Sequence, residues 1–123
     1  MHGFRNEQEY ARAVAEAKSR VKEVTPDEAL GIKERGDAIF LDVREPNEWN
    51  LFHIPGAVHV PLGEVEHRVA ESVPTGRPVV IYCARGNRSA LAADTMQRMG
   101  YADVTSMSGG IRGWVDAGGD VEE

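Results

Sequence analysis

The sequence predicts an α/β domain whose sheet is mainly parallel and covered on both faces. Two features carry this. Short β-prone runs such as "AIFLDV" (Ala38 to Val43) and "PVVIYC" (Pro78 to Cys83) are predominantly apolar, as strands buried on both faces are. Segments of helical periodicity alternate with them along nearly the whole chain, which is the order that builds βα units.

The elements follow in chain order. From Asn6 to Val21, the residues Tyr10, Ala13, Val14, Ala17 and Val21 recur at helical spacing among charges, which predicts an amphipathic helix. A short strand ends at Val24; Thr25 then caps a helix with Pro26 in its first position, stopped near Gly36. After the strand over 38–43, "EPNEWNLF" forms a helical turn or two that Pro55-Gly56 breaks. "AVHVP" is a short strand, and "LGEVEHRVAES" a helix with Leu62, Val65 and Val69 on one face. The strand "PVVIYC" leads to a helix over "SALAADTMQRMG", with Leu91, Thr95, Met96 and Met99 at helical spacing and Gly100 at its end. "ADVTSMS" is the last strand and "GGIRGWVDAGG" the last helix, and the acidic end of "DAGGDVEE" is expected to fray.

A chain of 123 residues is the size of one domain and folds without staples. Cys83 is the only cysteine, which excludes an internal disulfide and suits a reducing compartment. The opening "MHGFRNEQEY" lacks the apolar core of a signal peptide, and no apolar run reaches the roughly 18 residues of a membrane span. A cytoplasmic protein without membrane attachment is therefore expected. The net charge of −6 argues against nonspecific nucleic-acid binding. Between Arg77 and Arg112, however, five arginines face two aspartates, and Cys83 sits inside this basic stretch.

Cys83 lies where a buried strand gives way to the turn "ARGN", with Arg88 or Ser89 expected to open the next helix. Ligands bind at such carboxyl ends in open α/β sheets. A loop that curls back there and runs into a helix N-terminus gathers N–H groups into an anion cradle. Gly86 permits the curl, and Ser89 suits a helix cap. A packing cysteine belongs more naturally within "VVIY"; at the strand end, a reactive thiol is the stronger reading.

Two chemistries suit such a thiol: attack on phosphorus, or attack on a sulfane sulfur to give a cysteine persulfide. The phosphatase signature places five residues between cysteine and arginine. Four separate Cys83 from Arg88, and Ser89 holds the phosphatase arginine position. The tighter loop suits one extra sulfur carried on the thiol.

With these residues, the chain resembles the single-domain rhodaneses, a sulfurtransferase family. "CARGNRS" matches the pattern Cys-x-x-Gly-x-Arg-Ser/Thr, "LDVREPNEWNLFHIPGAVHVPL" resembles the upstream motif, and "GGIRGW" the terminal one, in the family's order. The resemblance implies a rhodanese-like α/β fold, a five-stranded parallel sheet flanked by helices on both faces, over residues 24–117. Residues 1–23 then form an extra N-terminal amphipathic helix appended to this core, and 118–123 an acidic C-terminal tail. It also implies an enzyme of the thiosulfate sulfurtransferase type, in which Cys83 takes sulfane sulfur from a small donor such as thiosulfate or polysulfide. The persulfide then passes sulfur to a thiol or cyanide acceptor, with a sulfur-accepting protein as a further candidate partner. Cys83 is the catalytic residue, the loop Ala84, Arg85, Gly86, Asn87, Arg88 and Ser89 binds the substrate, and Asp42 and Arg44 support the loop through ion pairs and hydrogen bonds, with Arg88 as a candidate partner. Arg85 occupies a loop position that is often basic in thiosulfate-using members, whereas Ala84 occupies another such position and is not basic. Phe52 stands where glycine is usual.

No cofactor is called for, and His53 and His59 have no metal-ligand pattern with a second thiol, so no metal is assigned. Trp49 and Trp114 are expected in the core or at the rim of the site. Two other functions fit the same motifs: a sulfur-carrier or protein-binding module with little turnover alone, and a phosphatase or arsenate reductase on the same fold.

Overall fold

Five short parallel strands form one sheet in a computed structural model that describes residues 3–123. The strands are β1 (Lys22–Val24), β2 (Ile39–Asp42), β3 (Val58–His59), β4 (Val79–Tyr82) and β5 (Val104–Met107), in spatial order β1-β5-β4-β2-β3. Every neighbouring pair is parallel; Leu41 faces Ile81 across β2 and β4, and Val80 faces Thr105 across β4 and β5. The central strand β4 is buried at all four positions, which explains its unbroken apolar run.

Six helices cover the sheet: α1 (Glu7–Arg20), α2 (Pro26–Arg35), α3 (Pro46–Leu51), α4 (Val65–Ser72), α5 (Asn87–Arg98) and α6 (Gly110–Asp116). Alternation along β4 divides the core. Val79, Ile81 and Cys83 pack with Val14 and Ala17 of α1, Val65 and Val69 of α4, and Leu91 and Met96 of α5. Val80 and Tyr82 face the other way, toward Ala29 of α2 and Ile111 and Trp114 of α6. Successive strand residues point to opposite faces, so one tetrapeptide serves both layers.

Local signals explain the boundaries. Asn6 caps α1 by accepting the Glu9 N–H at 2.8 Å. Thr25 and Glu28 form a reciprocal capping box at the start of α2, and Gly36, at φ 68°, ends that helix in a left-handed turn. The segment expected as one helix from Leu62 begins as a 3-10 turn, Leu62–Glu64, before α4. The expected start of α5 moves back to Asn87, with Gly86 at the cap, because Gly86 adopts φ 106° and turns the chain early.

The C-terminal residues have hydrogen-bond partners in the body of the domain. Gly119 N–H donates to the Trp114 carbonyl at 2.8 Å, and the Trp114 indole N–H donates to the Asp120 carbonyl at 2.8 Å. His53 and Glu122 then exchange backbone bonds of 2.8 and 2.9 Å in an antiparallel bridge. Glycine makes this path available, since a Cβ at Gly119 would collide with the indole. Four hydrogen bonds thus hold a segment whose composition alone reads as solvated.

The helix α1 belongs to the core as well as extending it. It packs along α5, and Arg20 makes two bonds to Asp94, of 3.0 and 2.8 Å. No helix among the described residues is long and apolar enough to cross a membrane.

Candidate functional site

Cys83 follows the last residue of β4, so the strand delivers its side chain to the carboxyl edge of the sheet, on the face shared by α1, α4 and α5. The residue is 1% exposed. Its sulfur accepts the N–H of Gly86 at 3.1 Å and that of Ser89 at 3.4 Å. The thiol donates in turn to the Ser89 hydroxyl at 3.5 Å, and that hydroxyl shares a 2.8 Å bond with Ser106 of β5. Ser89 is therefore not the helix cap expected of it; as the third residue of α5 it turns both its amide and its hydroxyl to Cys83. First-turn amides have no intrahelical carbonyl to bond, and the helix dipole adds positive potential. The arrangement stabilises negative charge on sulfur.

The loop is held from below by the start of α6. The Cys83 carbonyl accepts the Ile111 N–H at 2.9 Å and the Ala84 carbonyl accepts the Arg112 N–H at 3.3 Å. Such close approach needs glycine: Gly110 sits at φ 58°, and a Cβ there would collide with the Ala84 carbonyl.

Asp42 and Arg44 form a buried pair at the end of β2. Arg44 donates its backbone N–H and its guanidinium to the Asp42 carboxylate at 2.8–3.1 Å and to the Phe52 carbonyl at 2.6 Å. This pair fastens the segment leading through α3. Arg88 does not join it. Its guanidinium instead makes two bonds to Glu48 of α3, of 2.7 and 3.0 Å, which hold the Glu48 carboxyl down to about 2. Arg85 and Asn87 are exposed, Ala84 half-buried and Gly86 buried, with Arg85 at the loop surface.

Sequence reasoning missed three residues. Glu48 lies forty positions from Arg88, and no local pattern announces their pairing. Ser106 carries a weak signal, a small hydroxyl residue in a strand buried at every position. Tyr10 stands among the helically spaced positions of α1, and it also lies within electrostatic reach of Cys83 and Arg88. Burial raises its phenol above the ordinary value, the Cys83 sulfur adds to this, and Arg88 opposes it.

The histidines and tryptophans have structural partners. Trp49 stacks on His53 at 3.6 Å and on His59 at 4.8 Å between ring centroids. His53 Nδ1 bonds the Trp49 carbonyl at 2.9 Å, and His59 Nε2 the Arg44 carbonyl at 2.8 Å. Trp114 is 2% exposed and meets Phe40 edge-on.

Residues 25–117 match the family described as Rhodanese-like domain. Thiosulfate sulfurtransferase GlpE of Pseudomonas syringae is 33% identical over 93 residues, which cover 76% of this chain and 86% of that protein. YrkF of Bacillus subtilis, named as a candidate sulfur carrier protein, is 42% identical over 76% of this chain, and the match spans 45% of its length. Among solved structures, a protein of unknown function from Rhodopseudomonas palustris, described as a possible tyrosine phosphatase, superposes with a TM-score of 0.84 at 31% identity, covering 99% of this chain and 98% of that one. A thiosulfate sulfurtransferase from Pseudomonas aeruginosa gives 0.81 at 28% identity, covering 93% of this chain and 22% of that one. The extent of the family match, with the three motifs gathered around one thiol, shows that the chain belongs to the rhodanese-like domain family.

Proposed function

We propose that this protein is a sulfurtransferase in which Cys83 carries the sulfur. The observation that supports this most directly is the pair of N–H groups, from Gly86 and Ser89, directed onto the Cys83 sulfur at the N-terminus of α5. The Cys83 thiol loses its proton to solvent and the thiolate attacks the outer sulfur of the donor. A sulfur–sulfur bond forms at Cys83, the donor's own bond to that sulfur breaks, and the leaving group departs with the electron pair. A thiol or cyanide then attacks the outer sulfur and returns Cys83 as thiolate. The cradle stabilises negative charge on either form. Arg85, exposed beside Ala84, attracts anionic donors.

Phosphoryl or arsenate chemistry fits less well. The phosphatase signature sets its gripping arginine where this chain has Ser89, and the neighbouring Arg88 is committed to Glu48. The sulfur-carrier relative supports a variant of the same reading, in which a protein is the acceptor. With one cysteine, no second protein thiol resolves the persulfide, so it persists until an acceptor arrives. Treatment with thiosulfate or polysulfide is expected to add the mass of one sulfur to the intact protein, and cyanide to remove it as thiocyanate. Unmodified protein that hydrolyses phosphate esters would reverse the assignment, and a stable persulfide with negligible turnover on small acceptors would favour the carrier role.

A further inference from the structure

The Cys83 side chain enters the core layer that α1, α4 and α5 cover, and α1 contributes Val14 and Ala17 to that layer. Tyr10 continues the same stripe one turn before Val14, with its ring packed on the cluster. The direction of α1 sets where that ring lies. Because α1 turns directly into β1, it runs opposite to the parallel strands, as α5 does, and Arg20 in its last turn meets Asp94 in the second half of α5. The first turn of α1, which holds Tyr10, therefore lies toward the first turn of α5, at the carboxyl edge that carries Cys83.

The hydroxyl on that ring is available. Of the three tyrosines, Tyr82 accepts the Ile54 N–H and Tyr101 donates to the Val73 carbonyl, whereas the Tyr10 hydroxyl has no hydrogen-bond partner among the described residues. No buried side-chain oxygen among those residues lacks a partner, so this hydroxyl reaches water while the residue as a whole is half-buried. Phe4 meets the ring edge-on, 5.3 Å between centroids, without engaging the oxygen. Burial and the Cys83 sulfur both hold the phenol above its ordinary value, against the opposing charge of Arg88, so it keeps its proton at neutral pH.

In the thiol form, the hydrogen bonds to Cys83 Sγ come from Gly86 and Ser89, and Tyr10 makes none. A persulfide changes the reach, since its outer sulfur stands about 2 Å beyond Sγ and carries the negative charge. We propose, building on the sulfurtransferase reading, that Tyr10 is a further catalytic residue whose O–H donates a hydrogen bond to the outer sulfur of the Cys83 persulfide. With thiosulfate as donor, the bond from Cys83 Sγ to the outer sulfur forms, the bond from that sulfur to the sulfonate sulfur breaks, and sulfite leaves with the electron pair. The phenol proton stays on oxygen, and no oxidant is required. Tyr10 thus stabilises the product of loading, while the Gly86 and Ser89 amides serve the inner sulfur.

The test exploits the reversal of this step by sulfite. The fraction of protein that gains one sulfur, read by intact mass across thiosulfate-to-sulfite ratios, gives a loading constant. Tyr10→Phe keeps the ring and removes only the hydroxyl. It is expected to lower the loading constant roughly tenfold, as one lost hydrogen bond to a charged group does. The pKa of the Cys83 thiol, read from thiolate absorbance in a chain with one cysteine, is expected to stay at the wild-type value. Tyr10→Leu, which removes ring and hydroxyl together, is expected to reduce loading at least as far. An unchanged loading constant in Tyr10→Phe overturns the assignment, and a fall confined to Tyr10→Leu does the same by assigning the effect to packing. A thiol pKa that moves as far as the loading constant also overturns it, because the contact would then be to Sγ. If the wild-type protein gains no sulfur from thiosulfate or polysulfide, the sulfurtransferase reading itself fails and this inference with it.

Discussion

The Arg88 guanidinium and the Glu48 carboxylate meet in two parallel bonds of 2.7 and 3.0 Å, tying the first turn of the helix after Cys83 to the helix after Asp42. The pair joins the elements that follow the two neighbouring central strands, β4 and β2, at the carboxyl edge of the sheet. Its stabilisation depends on pH in a definite direction. Glu48 titrates near its ordinary 4.5 when unfolded and at about 2 when folded, so the folded state is favoured above pH 4.5 and loses that advantage as pH falls toward 2. With roughly a quarter of each side chain in water, the pair is worth about 1–2 kcal/mol after screening. Glu48→Gln is expected to lower stability by that amount at pH 7, measured by urea unfolding, and the gap from wild type should close toward pH 2. A gap that does not change with pH would assign the loss to packing.

Cys83→Ser is expected to abolish sulfur transfer and leave the fold intact. The hydroxyl is a poor nucleophile in this position, while the Gly86 and Ser89 amides donate to an oxygen as readily as to a sulfur. Unchanged circular dichroism with no thiocyanate formation is the expected pair of results. Retained turnover would remove Cys83 from the mechanism.

Arg85→Ala separates attraction of the donor from support of the loop. Arg85 is exposed and makes no ion pair among the described residues. Losing one charge-assisted contact should lower kcat/KM for thiosulfate roughly tenfold, with a smaller loss for long neutral polysulfides. Equal losses for all donors would mean that Arg85 shapes the loop.

Strand positions and the cysteine loop were legible because each rests on a local cue. "VVIY" is apolar over a strand's length, Gly86 supplies a turn, and Cys83 stands at the junction between them. What escaped depends on long-range geometry. The pairing of Arg88 with Glu48 needs the order of β2 beside β4, which no spacing encodes. Serine favours the cap of a helix, but the Gly86 turn takes the cap itself and places Ser89 three residues deeper, where its hydroxyl serves Cys83 and Ser106. The hydrogen bonds of the C-terminal residues escape for a similar reason: composition speaks for solvent, and Trp114 and His53 supply partners that composition does not reveal.

Gly110→Ala tests whether α6 sets the shape of the cysteine loop. Gly110 adopts φ 58°, costly for any other residue, and its Cβ position coincides with the Ala84 carbonyl and the Arg85 amide. Backbone cannot rotate aside as a side chain does, so the substitution must push the loop away from α6 and stretch the bonds from Ile111 and Arg112 to the Cys83 and Ala84 carbonyls. A loss of at least about 2 kcal/mol is expected from the strain alone. Displacing the loop also misdirects the Gly86 and Ser89 amides, so kcat/KM should fall further than the folded fraction explains. Gly76→Ala is the control: Gly76 has open space around it and no positive φ, and the change should stay within about 0.5 kcal/mol. Thermal unfolding and turnover of both variants check this, and a stable, fully active Gly110→Ala protein would show that α6 does not set the loop.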